Sequence, residues 1–253
     1  MTALGRERAT SIFLGLAGIS LFLLLWETIG RHRLLGLSWP ALTEVLAFLG
    51  DSSRWPLFSR ALGASLGALA FGYVVGVVAG VLTAMAAYLL PPLKPGFDRT
   101  SAFIHAVPSI ALAPIFIIFV GRNSTPAALA ALNAFFILYV AASSGLTSAA
   151  RQWTDVLRVL GASRMTRFWR LDFPAALPTI ASGLRLAAPA SLIGVIIGEW
   201  FGAPRGIGVL IINAMQNFQI PLLWSAVLLT VAVSLTLFAL LGLLQSWIAE
   251  RFR

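Results

Sequence analysis

Cysteine is absent from the 253 residues, and charged side chains make up only 11% of them. The first absence excludes a disulfide framework, a thiolate metal site and a cysteine nucleophile. The second is too low for a water-soluble domain, in which about 25% of residues are charged. Hydrophobic residues reach 59%. The composition therefore favours a membrane protein built from several spanning helices.

Lysine and histidine are almost absent too. Lys94 is the only lysine, and no G-x-x-x-x-G-K-[ST] segment occurs, so the chain lacks the usual P-loop for nucleotide phosphates. The two histidines, His32 and His105, are too far apart for an H-E-x-x-H metal motif. We expect the chain to bind neither a metal nor a cofactor of its own.

The net charge of +9 is the one compositional feature that could indicate nucleic-acid binding. Most basic residues, however, flank apolar runs, which is typical of anchoring at the membrane edge. We therefore expect membrane lipid around this chain and no nucleic-acid partner.

Six segments are apolar enough to be spans, each of which needs roughly 20 such residues. They predict an all-α membrane protein in which residues 1–253 form a single transmembrane domain. The first span is interpreted as a retained helix and not a signal peptide, because no A-x-A-like site follows it. The predicted spans are 9–30, 61–90, 100–121, 125–148, 185–202 and 222–247.

An even number of spans puts both termini on the same side, and the distribution of basic residues indicates which side that is. With the N-terminus inside, twelve basic residues fall in inner segments and six in outer ones. The inner set is Arg6, Arg8, Lys94, Arg99, Arg151, Arg158, Arg164, Arg167, Arg170, Arg185, Arg251 and Arg253. The outer set is Arg31, Arg33, Arg54, Arg60, Arg122 and Arg205. The bias predicts a multi-pass cell-membrane protein with both termini, and the loop 151–180, in the cytoplasm.

The second span contains "GASLG", Gly63 to Gly67, which fits the G-x-S-x-G pattern of a serine nucleophile. That motif needs a strand-turn-helix setting, whereas this run continues as a helix with Gly72, Gly76 and Gly80 at four-residue spacing. Such spacing lets membrane helices approach closely. It favours packing over catalysis.

Three polar or helix-breaking residues within the spans are candidates for the translocation path: His105, Pro108 and Glu199. Ionisable residues inside the membrane often mark function. For Glu199, a gating role and a structural hydrogen bond between helices are both open, and His105 could simply pack. Arg185 is interpreted as an interface residue more readily than as a substrate ligand. The turn "GAPRGIG", 202–208, is interpreted as a tight external connection.

The stretch "DVLRVLGASRMTRFWRLDFPAALP", Asp155 to Pro178, interrupts the apolar sequence with arginines and prolines. Its apolar residues recur at helical spacing, Gly161 can end one helix, and Ser163 can cap the next. Pro174 and Pro178 are expected to break the helix before the chain re-enters the membrane. The pattern predicts a helix-turn-helix that could lie on lipid, form a solvated loop or dock into a partner.

This stretch resembles the EAA loop of ABC-importer permeases, whose pattern is E-A-A-x-x-x-G with a downstream L-P. Gly161 matches the glycine, Asp155 stands for the glutamate, and Leu177-Pro178 match the L-P, whereas Val156-Leu157 replace the two alanines. "HAVPSIALAPIFIIFVG", "NAFFILYVAASSGL" and "IGEWFGAPRGIGVLI" are similar to permeases of the sulfonate, taurine and nitrate importer family. The resemblance covers most of residues 37–250.

The resemblance implies a MetI-like fold of the type I ABC importers and a dimer of permease subunits, expected to be a homodimer. It also implies a separate ATP-binding subunit, which would hold the ATP and hydrolyse it, and an extracytoplasmic solute-binding protein. The residues implied to contact the ATP-binding subunit are Asp155, Leu157, Gly161, Ala162, Ser163, Arg164 and Phe168.

The function implied is that of the path-forming subunit of an importer for a sulfonate, taurine, nitrate or a related small organic molecule, without enzymatic activity of its own. A substrate of the pyrimidine or vitamin-precursor type is the alternative, and a stand-alone secondary transporter is a weaker one. An intramembrane enzyme using Glu199 and His105 is disfavoured, because no nucleophile or metal-ligand cluster accompanies them.

Overall fold

The computed structural model describes the backbone of residues 3–252 and the side chains of residues 10, 11 and 13–252. Within that range the chain is helical and contains no β-strand, which confirms the all-α prediction. Arg253 and the side chains of Arg6 and Arg8, which entered the charge comparison, lie outside the described part.

The helices follow one another along the chain with short connections. They are α1 (Ala3–Arg31), α2 (Leu42–Gly50), α3 (Trp55–Leu89), α4 (Lys94–Ala106), α5 (Ser109–Val120), α6 (Thr125–Gly145), α7 (Arg151–Val159), α8 (Arg164–Arg167), α9 (Phe173–Trp200), α10 (Ile207–Gln216) and α11 (Ile220–Arg251). A π-helix, Phe168–Asp172, joins α8 to α9. Five helical runs of the described chain are long and apolar enough to cross a membrane, and the bent pair α4 and α5 makes a sixth if it is counted as one span.

The third predicted span, 100–121, is a bent pair of helices. α4 and α5 meet at an angle of 99° across Val107 and Pro108. Proline lacks a backbone donor, and it disfavours helical geometry in the residue before it. Val107 accordingly has extended backbone angles of φ −80° and ψ 123°. Pro108 is therefore the point at which this span breaks.

The prediction that Pro174 and Pro178 break the chain's helix is wrong, because both lie inside α9. Pro174 is the second residue of α9 and follows the π-helix directly. The π-helix before it has wider turns, and the Phe173 N–H bonds to the carbonyl of Phe168 five residues back. This widening accommodates the proline ring that would otherwise meet the preceding turn. The fifth predicted span is therefore the C-terminal part of a helical run from Arg164 to Trp200.

The described chain divides into two compact units, one running to Phe58 and including Leu210–Leu228. This unit is centred on three tryptophans, Trp26, Trp39 and Trp224, whose ring centroids lie 4.8–5.3 Å apart. The indole N–H of Trp26 donates to the carbonyl of Pro40 at 3.1 Å. The end of α1 and the start of α11 are thereby fixed to the segment before α2.

The other unit contains Ser59–Val209 and the residues from Leu229 onward. Its core lies along α6, which packs between α3 and α9. A Cβ added at Gly76 would lie 2.7 Å from the Cβ of Ala134 and even closer to the backbone of Ala131. A Cβ at Gly198 of α9 would lie 2.5 Å from Pro126 of α6. The glycines therefore allow three helices to pack with their backbones close together.

Replacing Gly76 with alanine is expected to destabilise this unit, because the added methyl group has no space against α6. The overpacking should lower the free energy of unfolding by about 1–3 kcal/mol. Thermal unfolding in detergent micelles, followed by circular dichroism, measures the effect. Gly67→Ala is the matched control, since nothing lies within 4 Å of that added Cβ. An equal loss of stability in both variants would contradict the packing role of Gly76.

Candidate functional site

The segment 151–172, called here the 151–172 element, is a helix-turn-helix. α7 ends in a turn at Gly161, whose φ is +73°, a value that favours glycine. The N–H of Ala162 bonds to the carbonyl of Leu157 at 2.9 Å, and that of Gly161 to Arg158 at 3.0 Å. This pair of bonds is the Schellman motif. The predicted helix end at Gly161 is therefore confirmed.

The second helix of the element begins with the predicted serine cap. The Ser163 hydroxyl accepts a hydrogen bond from the backbone N–H of Thr166 at 3.2 Å. Such a cap satisfies one of the free donors of a helix start. The turn between α7 and α8 is therefore held by backbone and side-chain hydrogen bonds.

The tip of the 151–172 element is apolar and exposed. The side chains of Val159 and Leu160 are 87% and 74% exposed, and Trp153 and Val156 are also exposed. Around them lie charged groups, including an Asp155–Arg158 ion pair at 3.7 Å. Apolar side chains grouped on an exposed surface with a polar rim indicate an interaction site.

The underside of the element is anchored by an aromatic cluster. Phe168 is 0% exposed, and its ring lies 5.8 Å from Tyr88, 4.9 Å from Trp169 and 5.8 Å from Phe173. Tyr88 belongs to the last turn of α3, and Phe173 begins α9. Phe168 thus supports the element from beneath and is not part of its exposed surface.

A charged network lies beside this cluster. Asp172 is only 3% exposed; it accepts hydrogen bonds from the Tyr88 hydroxyl and, at 3.2 Å, from Nε of Arg167. Arg167 also donates to the Tyr88 hydroxyl at 3.1 Å, and Arg164 donates to the Tyr88 backbone carbonyl. Buried charges persist when they are paired and hydrogen-bonded in this way. The network fastens the element to the end of α3.

All seven residues implied as contacts lie on this one element, at different depths. Asp155, Gly161, Ser163 and Arg164 are exposed, Leu157 and Ala162 are half-buried, and Phe168 is buried. Sequence reasoning missed Tyr88 and Asp172, because no spacing rule connects a tyrosine of α3 with an aspartate more than eighty residues later.

The translocation-path candidates are not joined in one cluster. His105 is exposed, and its ring stacks on Phe136 at a centroid distance of 3.8 Å. Pro108 lies at the bend between α4 and α5. The hydrogen-bond partners of Glu199 are Ser65 and Gly208, and His105 is not among them. Each of the three residues therefore has a separate local setting.

Glu199 is buried in a closed polar network at the start of α10. Glu199 is 2% exposed. Its carboxyl group accepts hydrogen bonds from the Ser65 hydroxyl at 2.6 Å and from the Gly208 N–H at 2.7 Å. Ser65 in turn accepts from the Ile207 N–H at 2.8 Å. Both N–H groups belong to the first turn of α10, where helix donors lack backbone partners and a negative charge is favoured.

This network supports the structural interpretation of Glu199 that the sequence had left open. The turn "GAPRGIG" also leaves space for the Glu199 carboxyl group, because a Cβ at Gly206 would overlap that group. The G-x-S-x-G serine, Ser65, lies in the middle of α3 and serves the same network. Its setting is a helix, and not the strand-turn-helix of a nucleophile.

Comparison with known proteins decides the family. Residues 72–253 match the family described as the binding-protein-dependent transport system inner membrane component. The chain belongs to this family. It is a multi-pass membrane protein and an ABC-importer permease, as the EAA-like segment predicts.

Several permeases are similar over much of the chain. A probable ABC transporter permease of Haemophilus influenzae is 30% identical over 205 residues, which is 81% of this chain and 78% of the relative. A formylaminopyrimidine transport permease of Halalkalibacterium halodurans is 30% identical over 206 residues, 79% of this chain and 80% of the relative. A Bacillus subtilis permease named for aliphatic sulfonates is 31% identical over 164 residues, which is 64% of this chain and 56% of the relative.

A solved structure shares the fold. The inward-facing MetNI methionine ABC transporter contains a chain that matches with a TM-score of 0.70 and 14% identity, covering 78% of this chain and 99% of that one. The MetI-like fold prediction is confirmed.

Replacing Ser65 with alanine should leave the Ile207 N–H without a partner in a buried site and Glu199 with the Gly208 N–H alone. We expect the free energy of unfolding to fall by about 1–3 kcal/mol for each group left unpaired, measured as a lower Tm in micelles. Ser246→Ala is the control, because its hydroxyl bonds only to a carbonyl of its own exposed turn. An unchanged Tm for Ser65→Ala would show that the network does not stabilise α10.

Proposed function

We propose that this permease forms the translocation path for a small solute and is driven through the 151–172 element by a separate ATP-binding subunit. The observation that carries the proposal is the exposed apolar tip at Val159 and Leu160 on a rigidly anchored helix-turn-helix. A partner that covers this tip would remove apolar surface from water, which favours binding. Helix-in-groove docking uses anchors of this kind.

The contacts beneath the tip suggest how movement would reach the membrane. Phe168 and Asp172 join the element to Tyr88 at the end of α3. The same element continues through the π-helix into α9. Displacing the tip would therefore move the ends of two spanning helices together. Rocking of helices about a membrane-embedded site is the general means of alternating access.

The family resemblance is the basis for proposing the other subunits, and the distribution of basic residues is the basis for proposing which side of the membrane each segment faces. The 151–172 element and both termini would face the cytoplasm, where the ATP-binding subunit would bind. A second copy of this permease would complete the path, and an extracytoplasmic solute-binding protein would deliver the solute. ATP would be bound and hydrolysed by the partner, because this chain lacks a P-loop. The chain itself would then be a non-enzymatic subunit.

The solute is proposed to be a sulfonate, taurine, nitrate or a related small organic molecule. A relative named for aliphatic sulfonates supports this class. A pyrimidine-type vitamin precursor is the second candidate, and the relative named for formylaminopyrimidine supports it at 30% identity. Competition for binding to the cognate solute-binding protein, with alkanesulfonates and pyrimidines as the competitors, separates the two.

Val159→Asp is expected to prevent assembly with the ATP-binding subunit, because it places a charge at the centre of the apolar tip. Co-purification of the two subunits and ATP-dependent uptake in proteoliposomes should both fall at least about tenfold, the factor equivalent to ~1.4 kcal/mol of binding free energy. Val159→Ile keeps the tip apolar and should retain both activities. Normal assembly of Val159→Asp would place the contact elsewhere.

Gly161→Val and Phe168→Ala test the internal support of the tip. The first introduces a β-branched residue at φ +73°, and the second empties the buried aromatic cluster. Both should reduce partner assembly and uptake. Intact uptake in both variants, ATP hydrolysis by the purified chain alone, or transport without any ATP-binding subunit would each contradict the proposed function.

A further inference from the structure

A polar pocket of about 310 Å³ lies at the end of α1, between the turn that follows this helix and the starts of α2 and α11. Arg31, the last residue of α1, lines it together with Arg33 of the turn and Glu44 of α2. All of its lining residues belong to the unit that runs to Phe58 and includes Leu210–Leu228. The volume is at the low end for ligand pockets, so it suits a small molecule or the headgroup of a larger one.

Arg33 has a backbone conformation that is unfavourable for an arginine. Its φ is +51°, in the left-handed region. The Arg33 N–H bonds to the Gly30 carbonyl at 3.1 Å, and the Leu34 N–H bonds to the Ile29 carbonyl at 3.0 Å. These bonds form a Schellman helix end, where glycine is the preferred residue. The chain thus has an arginine where glycine would fold more easily, and backbone strain of this kind is concentrated at functional sites.

Two charged side chains of opposite sign line the pocket without a partner. Arg31 forms an ion pair with Glu27 at 2.8 Å. Arg33 and Glu44 are both exposed, and neither forms an ion pair, with the other or with any residue that the structure describes. A ligand that carries both an anionic and a cationic group could pair with the two side chains at once.

The surroundings of the pocket are those of a membrane interface. The candidate span Phe13–Arg31 ends at the pocket. Trp39 of the tryptophan cluster also lines it, and tryptophans are enriched at the level of the lipid headgroups. Next to the arginines, Leu34, Leu35 and Leu37 are all exposed. Leucines in this position can contact the hydrocarbon chains of a lipid whose headgroup binds to the charged residues.

We propose that this pocket binds the headgroup of a zwitterionic phospholipid, with the phosphate on Arg33 and the amine on Glu44. The acyl chains would lie along the exposed leucines and the apolar surface of α1. A free zwitterionic solute could pair with the same two charges but would leave the leucines uncovered, so a lipid fits the surface better. Lipid binding here is separate from the proposed transport function and does not depend on it.

The test uses the purified full chain in detergent and dioleoyl phosphatidylethanolamine as the probe, with lipid binding measured by native mass spectrometry. Arg33→Gly should weaken binding of the first lipid at least about tenfold, because a charge-assisted hydrogen bond to the phosphate is lost. The same change should leave the Tm of the lipid-free protein equal or higher, since glycine suits a positive φ. A loss of binding is then not due to misfolding. Equal lipid affinity of the wild type and Arg33→Gly would overturn the proposal.

Phe218→Gly is the matched control for the backbone. Phe218 is the other non-glycine residue of the described chain with a positive φ, 54°, and it belongs to the same unit but does not line the pocket. Arg205→Gln is the control for charge, because Arg205 is exposed and also lies outside the pocket lining. Both variants should bind the lipid like the wild type. A loss in either that equals the loss in Arg33→Gly would reject the pocket as the binding site.

The choice of lipid tests the role of each charge. Glu44→Gln should weaken phosphatidylethanolamine severalfold but not phosphatidylglycerol, which has the phosphate without the amine. An equal effect on both lipids would contradict the zwitterionic assignment. Diacylglycerol, which has no phosphate, should bind the wild type and Arg33→Gly equally, and weaker binding to Arg33→Gly would contradict the pairing of Arg33 with the phosphate.

O-Phosphoethanolamine separates a lipid from a free solute, because it carries the same headgroup without acyl chains. In large molar excess it should not displace phosphatidylethanolamine from the wild type. Displacement would assign the pocket to a free solute and overturn the proposed lipid site. These measurements need no ATP-binding subunit, so failed lipid binding together with the expected uptake of the two Val159 variants would reject this site alone.

Discussion

The structure depends on one constraint: inside a membrane, polar groups must find their partners within the protein. The chain has few charged residues, and the two carboxylates that are buried among the described residues, one in a span and one in the 151–172 element, are each tied to specific donors. Glu199 binds the first turn of α10, and Asp172 binds Tyr88 and Arg167. These contacts fix which helices lie together.

Close packing of backbones is the second determinant of the fold. Gly76 and Gly198 allow α3 and α9 to approach α6 closely at different places on its surface. Hydrocarbon lipid gives little hydrophobic drive for helices to associate, so contact distance decides the packing. The resulting three-helix core carries the 151–172 element at one end. Its exposed tip can be rigid because the helices beneath it are closely packed.

The sequence predicts much of this architecture, since span length, proline, glycine and cap signals are local. Gly161 and Ser163 act as predicted because their roles depend only on neighbouring residues. The errors arise where distant contacts or small backbone adjustments decide the outcome. Pro174 and Pro178 stay helical because a π-helix precedes them. The start of α10 was not recognised because it is held by Ser65, 142 residues away in sequence, together with Glu199. Tyr88 could not be assigned for the same reason.

The continuity of the run from Arg164 to Trp200 has a mechanical consequence. Its 37 residues form a rod of roughly 55 Å at 1.5 Å per residue. A tilt of only a few degrees at one end would displace the other by several ångströms. Pro178 and Pro189 each remove a backbone hydrogen bond from this rod. They are two of the places where it can bend, so rigid and bendable segments alternate along a single helix.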